Sequence, residues 1–186
     1  MNSLYTRLTD RDWYEFLYSE YKNGNPLKEI NFWMKGTKQG FKHLEPGELF
    51  AFKLHNKHTA KESIDGEFVG GATYIRYEVL SIAEAWGKYG VCNGASSIEK
   101  LMLQMGKRMN DNIGCIILSN PFFFEKKDWT TWENDPKEGY FFKRFTINEP
   151  NHRQVIDDFN TSYIKTRTKE LPYTDNLCIR IYNCFA

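Results

Sequence analysis

Hydrophobic positions change period several times along the chain, and each change marks an element. Residues 67–80 form the longest extended stretch, rich in β-branched and aromatic side chains that suit a pleated, half-buried surface, and predict a strand. At Ser81 the period lengthens. Ile82, Ala85, Trp86 and Tyr89 share one helical face, and Ser81 and Glu84 have the spacing of a capping box. Gly70-Gly71 removes two successive side chains inside the strand. Such a pair marks a bulge, or a place where another backbone or a ligand comes close. A glycine-softened strand running straight into a helix with a tryptophan is a natural pocket wall.

The same reading applies to the rest of the chain. Leu8 to Tyr21 has the pattern of an amphipathic helix, capped by Thr9 or Asp10, with Trp13, Phe16 and Leu17 as its apolar stripe. Strands are predicted over 30–34, 49–54, 114–120 and 141–147. In the first of these, Ile30, Phe32 and Met34 face one way and Asn31 and Trp33 the other. The apolar run after Gly114 is continuous, as in a strand buried on both faces, and Pro121 should end or bend it. A helix over 96–109 is capped by Ser96 or Ser97, and another starts at Pro150 and runs to about Tyr163. The order is neither a regular strand–helix alternation nor all-β. The expected fold is α+β: one domain over 1–186, with a core over about 8–147 built on a curved mixed sheet (a partial barrel) flanked by helices, then a C-terminal helix and tail over 148–186.

Composition narrows the function. At 186 residues the chain can bury a real core. A net charge of +1 excludes a polycation, so any nucleic-acid surface must be local. One local excess exists: Lys35, Lys38, Lys42, Lys53, Lys57 and Lys61, with His43, His55 and His58, against only Glu45 and Glu48. Loops of that charge can follow a phosphate backbone. Cys92, Cys115, Cys178 and Cys184 show no CxxC spacing and pair with no histidine in a ligand pattern, so no metal site and no cofactor are expected. Neither a signal peptide nor an apolar run of spanning length is present, which makes the cytoplasm the expected compartment and a membrane an unexpected partner.

Catalytic patterns are missing. The chain has no GxSxG, HExxH, Walker A or GxGxxG, and is read as a non-enzyme with no catalytic residue. Aromatics make up 16% of the residues, and several stand beside polar groups, which is what a pocket for a flipped base requires. Asn31, Trp33, Tyr74 and Trp86 are the candidate base-binding residues. Ser119 and Asn120 are candidates for hydrogen bonds to the base edge. Gly70, Gly71 and Trp129 would shape the pocket, with Trp132 a weaker candidate, and Lys35, Lys38 and Lys42 would hold phosphates. The same aromatics would serve equally well as core fill.

Trp13-Tyr14-Glu15-Phe16-Leu17, Asn31-Phe32-Trp33 and Gly47-Glu48-Leu49-Phe50-Ala51-Phe52-Lys53-Leu54, followed in order by Val69-Gly70-Gly71, Ser81 to Trp86, Gly90 to Gly94 and Gly114 to Leu118, resemble a known arrangement. It is the domain that precedes the nuclease module in bacterial HNH endonucleases of the McrA type, and the resemblance covers about residues 13–147. It implies an SRA/PUA-like fold, related to EVE and YTH domains. It further implies a function: recognising a modified base, above all a modified cytosine in duplex DNA, by base flipping within a modification-dependent restriction system. Two departures stand out. The family often has Arg-Pro after Asn-Phe-Trp where this chain has Met34-Lys35, and no His-Asn-His pattern follows. The expected protein is the reader without the cutter, with duplex DNA as partner and a separate nuclease subunit or a missing HNH domain as a further one. A YTH- or EVE-like reader of modified RNA or single strands, an enzyme, and an interaction domain without a base pocket stay open as rivals.

Overall fold

A computed structural model describes residues 1–37, 40–54, 66–131 and 142–170. Six strands form one mixed sheet: β1 (Ser3–Thr9), β2 (Glu29–Met34), β3 (Leu49–Leu54), β4 (Phe68–Ser81), β5 (Asn112–Phe123) and β6 (Phe142–Thr146). Four helices flank it: α1 (Arg11–Lys22), α2 (Ile82–Tyr89), α3 (Ile98–Met105) and α4 (Pro150–Glu170). The strand order is β2-β5-β4-β3-β1-β6. Only β1 and β3 run parallel.

The sheet is strongly curved. β2 and β3 stand three strand spacings apart, about 14 Å on a flat sheet. Yet the rings of Phe32 on β2 and Phe50 on β3 lie only 4.9 Å apart. The concave face therefore closes on itself around an aromatic core of Tyr5, Phe32, Phe50, Phe52, Tyr74 and Phe123, into which α1 sets Trp13, Tyr14 and Leu17. On the convex side, α4 covers one half through Val155, Ile156 and Phe159, packed against Phe68, Phe122, Phe124 and Phe145. The other half lies under α2 and α3, with Ile82, Ala85, Leu101 and Met105 against Ile113, Cys115 and Ile117. The sheet is not closed into a barrel: β2 and β6 remain its two edges.

Several expectations hold and two need correction. Ser81 and Glu84 form the capping box in both directions. Asp10 caps α1 and Ser97 caps α3. The strand after Gly114 is buried on both faces, but Pro121 does not end it. β5 instead bulges: between the pairs Gly71–Phe122 and Thr73–Ser119 it holds one residue more than β4. Asn120 there has φ 48°. A second bulge of opposite sense follows, where β4 holds the extra residue between the pairs Tyr74–Leu118 and Arg76–Ile117. β1 is the first correction. Residues 3–9 form a strand, and the helix begins only at Arg11, not at Leu8. The stretch is short, and its pairing comes from β3 and β6, both far away in the sequence. The second correction is α4, which runs seven residues past Tyr163, to Glu170. It packs on the sheet through Val155, Ile156 and Phe159. Among the described residues no helix is long and apolar enough to cross a membrane.

Candidate functional site

A cavity of about 1050 Å³ opens at the concave face, where the two sheet edges come round towards each other. β1 contributes Arg7 and Leu8, and the start of α1 contributes Asp10 and Trp13. Phe32, Trp33 and Met34 come from β2, and Phe142 from the opposite edge strand β6. Lys35, Lys42 and His43 from the intervening loop and Lys107 beyond α3 complete the charged wall.

Local rules place each of these groups. Alternation along β1 puts Tyr5 and Arg7 on one face. Asp10, as N-cap, accepts from the backbone N–H groups of Asp12 at 3.0 Å and Trp13 at 3.4 Å, which fixes the start of α1 against the cavity. Trp13 is buried. Its Nε1 donates to the Asn31 carbonyl at 3.1 Å, and its ring meets Phe32 edge-on at 5.3 Å. Trp33 is half-buried and donates through Nε1 to the Asn93 carbonyl at 3.1 Å. His43 lies 4.4 Å from the Phe142 ring and 5.7 Å from Tyr5.

The wall is electropositive: Arg7, Lys35, Lys42 and Lys107 face it with Asp10 as the acidic side chain. Lys107 also donates from Nζ to the Asn112 carbonyl at 2.7 Å. Burial, helped by Arg7 and Arg144, holds the His43 imidazole below its ordinary pKa, so it is neutral at pH 7. Among the described residues no group of His, Cys, Asp and Glu could hold a metal ion.

The residues singled out in the sequence are dispersed. Trp33, Lys35 and Lys42 line the cavity. Asn31 shares a face with Trp33, as alternation requires, but its amide is fully buried under the 3-10 turn Gly90–Asn93. Its Nδ2 donates to Asn93 Oδ1 at 2.8 Å and lies 3.3 Å from Cys115 Sγ, while Oδ1 has no partner. Tyr74 is buried in the concave core, 5.2 Å from Phe41. Trp86 packs on the cluster under α2 and α3. Ser119 and Asn120 sit at the β5 bulge, where the Asn120 carbonyl accepts from Arg167 at 2.6 Å. Gly70 and Gly71 admit neighbouring backbone: a Cβ would stand 2.3 Å from the Phe122 carbonyl oxygen at Gly70 and 2.7 Å from that of Phe50 at Gly71. Trp129 is half-buried and donates from Nε1 to the Phe124 carbonyl at 3.3 Å. Lys38 and Trp132 lie outside the described residues, as do Lys57, Lys61, His55, His58 and the tail from 171 onward.

Arg7, Asp10, Trp13, His43, Lys107 and Phe142 line the site without having been singled out for it. Asp10 and Trp13 were legible as a cap and a core residue. The Tyr5–Arg7 alternation becomes visible once residues 3–9 are known to be a strand. Compared with protein-family models, curated proteins and solved structures, the chain has no match.

Proposed function

We propose that the protein is a nucleic-acid reader that accepts one unstacked base in the concave cavity, with a modified cytosine of duplex DNA as the favoured occupant. The supporting observation is the combination of aromatic residues, Trp13, Phe32 and Trp33, with the cations Arg7, Lys35, Lys42 and Lys107 around one cavity. Bases of any identity stack on an aromatic face, and cations at the mouth neutralise the phosphates on either side. The curved sheet with helices on its convex side is compatible with an SRA/PUA-like fold, and the order of motifs from Trp13 to Ile147 supports the same reading. The chain on this view binds and does not cut, as the specificity module of a modification-dependent restriction system.

The test is a binding panel: duplexes and single-stranded RNA carrying 5-methylcytosine, 5-hydroxymethylcytosine, N6-methyladenine or no modification, at two salt concentrations. A modified-cytosine duplex bound at least tenfold tighter than its unmodified counterpart is the expected result. Equal affinity for all duplexes would reduce the site to a non-specific basic surface, and preference for modified RNA would transfer the reading to the YTH- or EVE-like rival.

A further inference from the structure

We propose that Arg7, with the Tyr5 hydroxyl and His43, forms a phosphate subsite inside the cavity, so that the occupant is a whole nucleotide and not a base alone. The inference rests on the base-reading function above and specifies what the site holds. It starts from two arginines that flank one buried tyrosine. In the sheet register Tyr5 stands opposite Arg144 and Arg7 opposite Phe142. Arg144 is satisfied: it pairs with Glu48 at 2.9 Å and also donates to the His43 carbonyl. Glu48 is thereby used up. Arg7 is half-buried at the cavity wall and has no ion pair among the described residues.

A guanidinium partly withdrawn from water without a counter-ion is costly, and a bidentate anion is the partner that its planar fork matches best. Tyr5 supplies the second, independent observation. It is 2% exposed, its hydroxyl lies against the Arg7 side chain, and no acceptor among the described residues takes its proton. Burial pushes that hydroxyl up to about 12, against the pull of the neighbouring Arg7 and Arg144, so it is a neutral O–H donor at every working pH. A buried donor left unmade is expensive, and one beside an unpaired arginine marks a place meant for acceptor oxygens. His43 closes the group. Its ring lies against Tyr5 and Phe142, and an arriving anion would favour its protonated, doubly donating form. Lys42 and Lys107 add positive charge on the same wall, while Asp10, the acid there, is engaged in capping α1.

The geometry orders the ligand. β2, with Phe32 and Trp33, is one edge of the sheet, and β1, with Arg7, lies beside the other, so a base on the aromatic side of the cavity extends its sugar-phosphate towards Arg7. A nucleoside 5′-monophosphate fits this polarity, whereas a free base or nucleoside leaves Arg7 and Tyr5 unmatched.

Isothermal titration calorimetry of the full chain tests this with four probes: inorganic phosphate, 5-methyl-2′-deoxycytidine, its 5′-monophosphate and a duplex containing 5-methylcytosine. For the wild type, the monophosphate should bind about tenfold to a hundredfold tighter than the nucleoside, the range of one or two charge-assisted hydrogen bonds. Arg7→Gln should abolish that advantage, Arg7→Lys should retain part of it, and Lys100→Gln, on the exposed side of α3, should leave it intact. Equal binding of nucleoside and monophosphate to the wild type overturns the subsite. So does a phosphate advantage that survives in Arg7→Gln. Inorganic phosphate binding as tightly as the monophosphate overturns the nucleotide assignment. Should Arg7→Gln melt well below wild type, Tyr5→Phe answers the same question: a reduced advantage supports the subsite and an unchanged one overturns it. The two readings fail separately. Wild-type duplex affinity in Arg7→Gln removes the subsite and leaves base reading standing; Arg7-dependent monophosphate binding with no duplex binding does the reverse.

Discussion

Asn93 and Trp33 show how one side chain governs the wall of the site. Asn93 is fully buried and spends its whole amide on structure. Its Nδ2 donates to the Ala85 and Gly90 carbonyls at 2.9 and 2.8 Å, and its Oδ1 accepts from Asn31. Its backbone carbonyl holds the Trp33 indole. Asn93→Ala removes three hydrogen bonds beneath the turn and should cost about 3 kcal/mol in urea denaturation. Trp33→Ala is different, because Trp33 is only half-buried. It should keep most of the stability and lose about tenfold to a hundredfold in affinity for a modified oligonucleotide, the worth of one stacked base. A mutant that melts far below wild type would return Trp33 to the core, and one with normal binding would remove it from the site. Strand alternation made the shared face of Asn31 and Trp33 legible in the sequence. It could not reveal that the turn at Gly90–Asn93 covers that face, because this depends on how α2 folds back over the edge strand.

At the scale of elements, close approach decides what each glycine tolerates. Gly70 has φ 151° and no room, whereas Gly87 in α2 has nothing within 4 Å of the position a Cβ would take. The two substitutions should have opposite signs: Gly70→Ala should destabilise by more than about 3 kcal/mol, and Gly87→Ala should stabilise by roughly 0.5–1 kcal/mol, both readable by thermal melting. The double glycine was visible in the sequence as a point of close approach; that the visitor is the β5 and β3 backbone could be known only from the register. The β6–α4 corner carries a pH dependence. His152 is 4% exposed and accepts from the Thr146 N–H through Nδ1 at 3.3 Å, a bond that needs the neutral ring. Burial lowers its pKa below the usual 6.5, Glu149 opposing and Lys143 assisting. A histidine whose folded pKa is depressed contributes its stability above the unfolded value and loses it as pH falls through the folded one. Melting temperature should therefore drop between about pH 7 and pH 5, and His152→Asn should flatten that part of the profile.

For the molecule as a whole, charge is arranged locally on a nearly neutral chain. Lys35→Ala and Lys42→Ala should weaken binding to all duplexes alike and reduce the salt slope by about one unit for each lost phosphate contact. A change confined to modified-base preference would make the loop a base reader instead. Pure protein should show no metal-dependent cleavage of modified DNA; cleavage abolished by a point mutation in this chain would sink the non-enzymatic reading. The strands from Glu29 onward and the helix caps were legible because period and capping are local. The cavity was not, since its walls come from β1, β2, β6 and a loop, and their meeting depends on how far the sheet curls.

The paired bulges have a genetic consequence. Pairing on both sides of them follows a single register, and only Thr73–Tyr74 against Leu118–Ser119 is offset by one. One surplus residue on β4 therefore cancels one on β5. Deleting Asn120 alone removes the first bulge and deleting Ile75 alone removes the second, and in either case every other residue of the central ladder keeps its partner and its face. Deleting both restores an unbroken ladder with Gly71 still opposite Phe122 and Arg76 still opposite Ile117. A selection for soluble protein among single-codon deletions in β4 and β5 should thus return Asn120 and Ile75 and lose paired neighbours such as Ile116 and Tyr77, whose removal slips the rest of the ladder by one.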